Sequence, residues 1–248
     1  MSAWRALVAR ELKAFWCSPI AYVVGGLFLL MQGWVFGLIL AVMNDPRVDP
    51  SFTMAQFFFG GSLFFWFSVF LMTALLTMRT FSEEKRVGTI ELLLTAPVSD
   101  TQVVLAKFAG AWLAYILLWL VAVGLFGLLR LVTPFEWGPV LTGFLGTCLL
   151  GGLFTALGVL ASSLTRNQVI AAVLTFVASI LLFSVGILDI FVHDPEASEL
   201  IRYFSVMEHI RDFGRGIVDT RPVVLYASLA AVALFLTGRV IASPRWRS

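Results

Sequence analysis

Residues 81–99, FSEEKRVGTIELLLTAPVS, form a short charged stretch between two long apolar runs. The runs on either side, 57–78 and 108–129, contain no charged residue. Each is long enough to cross a bilayer as a helix, which takes about 20 apolar residues. Because charged side chains are costly inside hydrocarbon, the stretch must lie on one side of the membrane and connect two spans. The chain therefore contains at least one helical hairpin through a membrane.

The composition of the whole chain fits the same class. Its 248 residues are 60% hydrophobic and only 13% charged, with a mean hydropathy of +0.95, whereas soluble proteins carry about 25% charged residues. The apolar runs do not show the alternation of a barrel strand. The sequence predicts an all-α polytopic membrane protein with one transmembrane domain over residues 1–248. The six predicted transmembrane helices are 20–43, 57–78, 108–129, 139–162, 169–190 and 222–241.

Two segments outside the spans have the pattern of amphipathic helices. In residues 1–18, apolar side chains recur at helical spacing from Trp4 to Phe15, which predicts an elbow helix in the headgroup layer. A simple membrane anchor and a contact with a partner both explain it. The 191–221 loop predicts one amphipathic helix that lies on the membrane surface or caps the bundle. Its two histidines, His193 and His209, are expected at solvated or interfacial positions.

The distribution of Lys and Arg predicts the orientation, since cytoplasmic loops carry an excess of both. With the N-terminus inside, eleven of the 17 basic residues fall on the cytoplasmic side. This places both termini and the 79–107 connection in the cytoplasm, and the 191–221 loop outside. Membrane lipid is then a partner along every span.

Several classes of function are disfavoured by the sequence. The net charge of +2 does not indicate a nucleic-acid-binding surface. Cys17 and Cys148 have no disulfide or metal spacing, and we expect this chain to bind no cofactor or metal. Ion-coupled carriers hold ionisable residues at mid-depth, whereas here Lys107, Arg130 and Asp189 lie near span ends. No Gly-x-x-x-x-Gly-Lys-[Ser/Thr] loop is present to bind phosphates, so no ATPase activity is expected of this chain.

The charged stretch itself has the signals of a capped helix between two breakers. Gly88 relaxes the backbone, Thr89 is a plausible N-cap for a second short helix, and Pro97 stops that helix. Glu91 falls in its first turn, where the helix dipole favours a carboxylate. Ser99 and Gln102 then match a capping box that opens the third span. Two interpretations remain open: leucines that dip into lipid, or a rigid helix that docks on a soluble partner.

Residues 79–107, RTFSEEKRVGTIELLLTAPVSDTQVVLAK, closely resemble the signature of ABC-2 type transporter permeases. Residues 203–226, YFSVMEHIRDFGRGIVDTRPVVLY, resemble the outer segment before the last helix in the gliding-motility-type branch of that family. With six spans and inner termini, the resemblance covers essentially the whole chain.

The resemblance implies a membrane subunit in the bacterial inner membrane. It implies a second permease copy as partner and two cytoplasmic ATP-binding subunits that hold ATP and Mg²⁺. In that family the connection between spans two and three inserts into a cleft of the ATPase. The residues that would form this coupling element here are Phe81, Glu83, Glu84, Lys85, Gly88, Thr89, Glu91, Leu94 and Pro97.

Three hypotheses of function follow. The first is the permease subunit of an ATP-driven export system. The second is an assembly or mechanical device in which the same coupling acts on a periplasmic accessory protein through the 191–221 loop, without solute transport. The third, a stand-alone ion-coupled carrier, conflicts with the absence of ionisable residues at mid-span.

Overall fold

The computed structural model describes residues 3–47, 53–89, 99–192 and 194–242, and within these ranges every regular element is helical. A π-helical turn occupies Phe57–Gly61 and a 3-10 helix occupies Gly186–Ile190. The α-helices are α1 (Ala3–Trp16), α2 (Pro19–Met43), α3 (Met54–Gln56), α4 (Leu63–Thr77), α5 (Ser82–Val87), α6 (Asp100–Leu129), α7 (Trp137–Leu164), α8 (Gln168–Val185), α9 (Pro195–Phe204), α10 (Val206–Gly214) and α11 (Thr220–Ala242).

Six helices in the described ranges are long and apolar enough to cross a membrane, which confirms the predicted fold class. Helices suit this setting because every backbone N–H and C=O inside the bilayer must find a partner within the protein. The third span begins at Asp100, eight residues before the predicted apolar run. The capping box explains the early start, since Ser99 accepts from the Gln102 N–H and the Gln102 side chain accepts from the Ser99 N–H.

Helix α7 lies at the centre of the bundle and contacts α4, α6, α8, α10 and α11. Its glycines allow the neighbouring helices to approach closely. A Cβ on Gly151 would lie 2.1 Å from Tyr115 Cε1 on α6, and one on Gly158 would lie 2.1 Å from Thr77 Oγ1 on α4. Small residues at helix contacts are typical of membrane bundles. The glycines of this span therefore allow close helix packing.

The second span is broken near its start, whereas the sequence predicts one continuous run from residue 57. Phe59 leaves the helical region with ψ 87°, and Gly60 has φ +95°, a conformation that favours glycine. The indole N–H of Trp66 donates to the Gly60 carbonyl at 3.1 Å, which satisfies a group that the break frees. Ser62 then caps α4 by accepting from the Phe65 N–H. The helix breaks because Gly60 adopts a left-handed conformation and Ser62 starts a new capped helix within the apolar run.

The segment before the last span contains two helices, α9 and α10, where the sequence predicts one. The chain bends at Ser205, whose hydroxyl accepts from the Glu208 N–H and so caps α10. The buried side chains of α10 include Val206, Ile210 and Phe213, and this helix packs on α7 and on the π-helical turn. Of the two predicted arrangements, a helix on the membrane surface or a helix over the end of the bundle, α10 has the second, and it closes one end of the bundle.

The prediction that His209 is solvated or interfacial is wrong, because its side chain is buried against the last span. Its Nδ1 lies 3.2 Å from the Tyr226 hydroxyl. Burial lowers the pKa of His209, and the nearby carboxylates of Asp219 and Glu208 oppose that shift. The other histidine of this segment, His193, lies outside the described residues.

The predicted elbow helix is present as α1, and it packs along α6 at the other end of the bundle. Val8 is buried, and Leu12, Phe15 and Trp16 pack against the core. Gly110 on α6 makes this approach possible, since a Cβ there would lie 2.8 Å from Glu11 Cβ. The elbow thus contacts the chain's own third span. We call this end, where α1 and α5 lie, the elbow end of the bundle.

Candidate functional site

The short helix α5 follows α4 after a tight turn at the elbow end of the bundle. Its N-cap residue, Phe81, supplies no capping side chain. Ser162 on α7 takes that role, because its hydroxyl accepts from the N–H groups of Phe81 at 3.0 Å and Ser82 at 3.1 Å. Gly88, with φ +82°, ends the helix in the left-handed conformation that commonly terminates helices. The helix is therefore capped by a residue of another span.

Lys107 forms the centre of an ion-pair network under α5. Its side chain is 3% exposed, and its Nζ lies 2.7 Å from Glu84 Oε1 and 3.5 Å from Glu11 Oε1. The ammonium also lies 5.2 Å from the centre of the Phe81 ring, within the range of a cation–π contact. Buried charges in proteins are normally paired in this way. The network connects α1, α5 and α6 through one cation.

Two further contacts attach α5 to the spans on either side. Glu83 accepts two hydrogen bonds from the guanidinium of Arg79, at 2.8 Å and 3.0 Å, in the bidentate geometry that Arg and carboxylate favour. Lys85 donates from its ammonium to the Ser163 carbonyl at the end of α7. The helix is therefore anchored to α4, α6 and α7 by charged or hydrogen-bonded groups, as well as by the fully buried Phe81 ring.

The C-terminal end of α5 and the two residues after it form an exposed tip. Arg86, Val87, Gly88 and Thr89 are exposed, and Val87 exposes 63% of its surface. Of the nine predicted coupling residues, Glu83, Glu84, Lys85 and Phe81 thus point into the bundle or along it, while Gly88 and Thr89 lie at the surface. Glu91, Leu94 and Pro97 lie outside the described residues, as does the short helix that the sequence predicts after Thr89. The coupling assignment of these nine residues stays a prediction.

Three important residues of this region were not assigned to the site from sequence. In the sequence, Lys107 is a residue near a span end whose side chain can reach the membrane interface, and Ser162 is one residue of an apolar span. Glu11 is 96 positions away from Lys107 in the chain, so no local pattern joins them. The only sequence signal is the position of Lys107, a charged residue next to an apolar run whose expected partner has the opposite sign.

The exposed side chains at this end are suited to binding another surface. The region contains paired charges on helix surfaces, and among the described residues no group of three His, Cys, Asp or Glu side chains is placed to hold a metal ion. The described cysteines, Cys17 and Cys148, are both free thiols. An anchored helix with an exposed tip is suited to contact another protein and pass its movement to three spans.

A family model described as ABC-2 family transporter protein matches residues 40–208, about two thirds of the chain. The matched region includes α5 and Lys107, and it begins after α1. A search among curated proteins gave no match. The match does not separate the branches of the family, so the gliding-motility-type assignment stays a prediction. The extent of the match shows that the chain belongs to the ABC-2 family of transporter proteins and is a multi-pass permease subunit of an ABC transporter, not itself a catalyst.

Proposed function

We propose that this permease couples ATP hydrolysis in a separate cytoplasmic ATPase to export of a substrate, and that α5 is the element through which movement enters the membrane. The family implies association with an ABC ATPase. We further propose that the elbow end faces the cytoplasm of a bacterial cell, that both termini lie there, and that two permease copies work with an ATPase dimer in the inner membrane.

The observation that carries the proposal is the anchoring of α5 on three spans at once. Displacing α5 would pull α4 through the turn before it, α7 through the hydrogen bonds of Ser162, and α6 through the Glu84–Lys107 pair. Packed, close-fitting helices shift as units rather than deforming continuously. A push on the exposed tip would therefore be shared by half of the spans.

The burial of each side chain determines which substitutions can test docking without also disturbing the fold. Glu84→Lys would place a second ammonium beside Lys107 in a nearly closed site, and the resulting repulsion would disturb the fold as well as any partner contact. Val87 and Arg86 are better targets, because both are exposed and make no anchoring contact in the described part of the chain.

The test is a double variant, Val87→Asp with Arg86→Glu, co-expressed with an ABC ATPase that co-purifies with the unmodified permease. We expect normal membrane insertion and at least a roughly tenfold loss of ATPase in the purified complex, as is usual when an apolar anchor and a charge of an interface are both reversed. Val132→Asp is the matched control, since Val132 is 84% exposed in the connection between α6 and α7. Unchanged co-purification and unchanged nucleotide hydrolysis of the double variant would contradict the coupling role of α5.

A second candidate function is the assembly device that acts on a periplasmic partner. It is favoured by α9, which exposes Leu200, Tyr203 and Phe204. Replacing these three side chains with Ser leaves the buried face of α10 intact. Loss of a cross-linked outer partner, with no solute transport by either the variant or the unmodified protein, would favour the assembly role, whereas loss of transport alone would favour export.

A further inference from the structure

The connection between α7 and α8 lies beside the tip of α5. It consists of Thr165, Arg166 and Asn167, and we call it the α7–α8 turn. Helix α5 contacts both of the helices that this turn joins. The Lys85 ammonium donates to the carbonyl of Ser163, which is 78 positions further along the chain and three positions before Arg166. The tip and the turn are therefore neighbouring parts of one surface at the elbow end.

This surface is cationic. Arg86 and Arg166 are exposed and Lys85 is half-buried. The positive charge of Arg166 acts on the Lys85 ammonium, and like charges placed close together disfavour each other. Across the described ranges, none of these three side chains forms an ion pair. Lys85 has a carbonyl oxygen as its acceptor and no carboxylate.

The glutamates of the elbow end in the described ranges already pair with other cations. Arg79 pairs with Glu83. Lys107 pairs with Glu84 and, at 3.5 Å, with Glu11. These pairs lie within the bundle and leave the cations of the surface unbalanced. An anionic group that balances the surface cations must therefore come from outside the described residues.

The surface also carries exposed aliphatic side chains next to its cations. Val87 in the tip is 63% exposed, and Leu164 at the end of α7 is 59% exposed. Protein interfaces combine apolar contacts with a polar rim and are enriched in arginine. The combination therefore fits a protein surface that offers both carboxylates and apolar side chains.

The tip by itself is too small for a stable interface. Only residues 86–89 are exposed there, whereas a specific interface involves about 20–30 residues and roughly 800 Å² on each partner. Other exposed residues of the elbow end must contribute to any interface that the tip forms. Residues 164, 166 and 167 are exposed and lie next to the tip, so they are the first to be covered.

We propose that the α7–α8 turn is a second docking element for the ABC ATPase, beside the tip of α5, and that acidic side chains of the ATPase pair with Lys85, Arg86 and Arg166. The inference rests on the proposed function, which assigns docking to α5 alone. An anionic leaflet also carries negative charge, but the turn continues the surface that the proposed function already gives to the ATPase.

Docking at the turn would extend the movement to a fourth span. The Asn167 side chain accepts from the Val169 N–H at 2.9 Å and so caps the start of α8. A displacement of the turn is passed directly to that helix. Of the six spans in the described ranges, the one that begins with α8 has the smallest share of buried residues. It is therefore the span that the rest of the bundle restrains least.

The test uses the full chain in nanodiscs of phosphatidylcholine, with the affinity measured for an ABC ATPase that co-purifies with the unmodified permease. Arg166→Glu should weaken binding about tenfold, the usual effect of losing one charge-assisted contact. Arg239→Glu is the matched control, because Arg239 is an exposed cation of α11 at the same end and the change of charge is identical. We expect its affinity to be nearly unchanged. Arg166→Gln serves as the test if Arg166→Glu fails to fold.

A second measurement needs no substitution. Amide exchange at residues 164–170 of the unmodified permease should slow when the ATPase binds, as it should at residues 86–89. Equal affinities of Arg166→Glu and Arg239→Glu, or unchanged exchange at the turn, would overturn the inference. Loss of binding in the α5 double variant would then still support the coupling role of α5.

Two further outcomes separate the alternatives. Weak binding of Arg166→Glu with normal binding of the α5 double variant would support the turn as a docking element and contradict the coupling role of α5. The affinities are also measured in nanodiscs that contain phosphatidylglycerol. A loss of ATPase binding by Arg166→Glu that appears only in these discs would overturn the inference, because the cations would then bind the anionic leaflet.

Discussion

The Lys107–Glu84 pair gives the sharpest stability prediction. Lys107→Met removes the cation that pairs with Glu84 Oε1. The second oxygen of that carboxylate, Oε2, has no hydrogen-bond partner among the described residues, so the variant leaves the whole carboxylate unpaired. Breaking a buried ion pair by removing one member typically costs about 3–5 kcal/mol. Because the Glu84 side chain keeps 21% of its exposure and can partly rehydrate, we expect a loss of about 2–3 kcal/mol in the free energy of unfolding.

Removing both partners should cost much less than the sum of the two single changes. In Lys107→Met/Glu84→Gln no unpaired charge is left between the two helices, and we expect a coupling energy of about 2 kcal/mol. The assay is a double-mutant cycle measured by denaturant unfolding in mild detergent. The exposed Arg211–Glu208 pair, at 3.3 Å, is the control, and its coupling should stay below about 0.5 kcal/mol. Additivity at the Lys107 pair within about 0.5 kcal/mol would refute the reasoning.

Three other predictions concern packing, capping and pH. Gly151→Ala should destabilise the bundle by about 1–3 kcal/mol because its methyl group would overlap the Tyr115 ring, whereas Gly124→Ala, with nothing within 4 Å, should be neutral or stabilising in the same unfolding assay. Ser162→Ala should cost about 1–2 kcal/mol and increase amide exchange at the start of α5, and unchanged exchange would rule out capping across the bundle. Because burial lowers the pKa of His209, its contribution to stability is complete above the unfolded pKa of about 6.5 and is lost as the pH falls below it. Thermal unfolding between pH 8 and pH 5 should therefore depend less on pH in His209→Gln, and equal slopes would contradict this.

The coupling residues show how far sequence reasoning reaches. The pattern from Arg79 to Lys107 predicts a structured connection, and the capping box at Ser99 is found as predicted. The pattern does not show which carboxylates face a partner. From the sequence, Glu83 and Glu84 are expected to be equivalent surface charges. In the structure Glu83 pairs with Arg79 in the same segment, whereas Glu84 pairs with the buried Lys107. That difference depends on a helix 23 positions further on, which a local pattern cannot contain.

The sequence alone determined the class of the protein, the number of its spans and the approximate position of each, because the bilayer imposes one strong requirement of length and apolarity on every spanning helix. Tertiary structure alone decided that α1 lies on α6, that Ser162 caps α5, and that Lys107 bridges Glu84 and Glu11. These contacts join residues far apart in the chain. Their formation depends on how closely helices approach at glycines such as Gly110, and that distance is set by packing rather than by hydropathy.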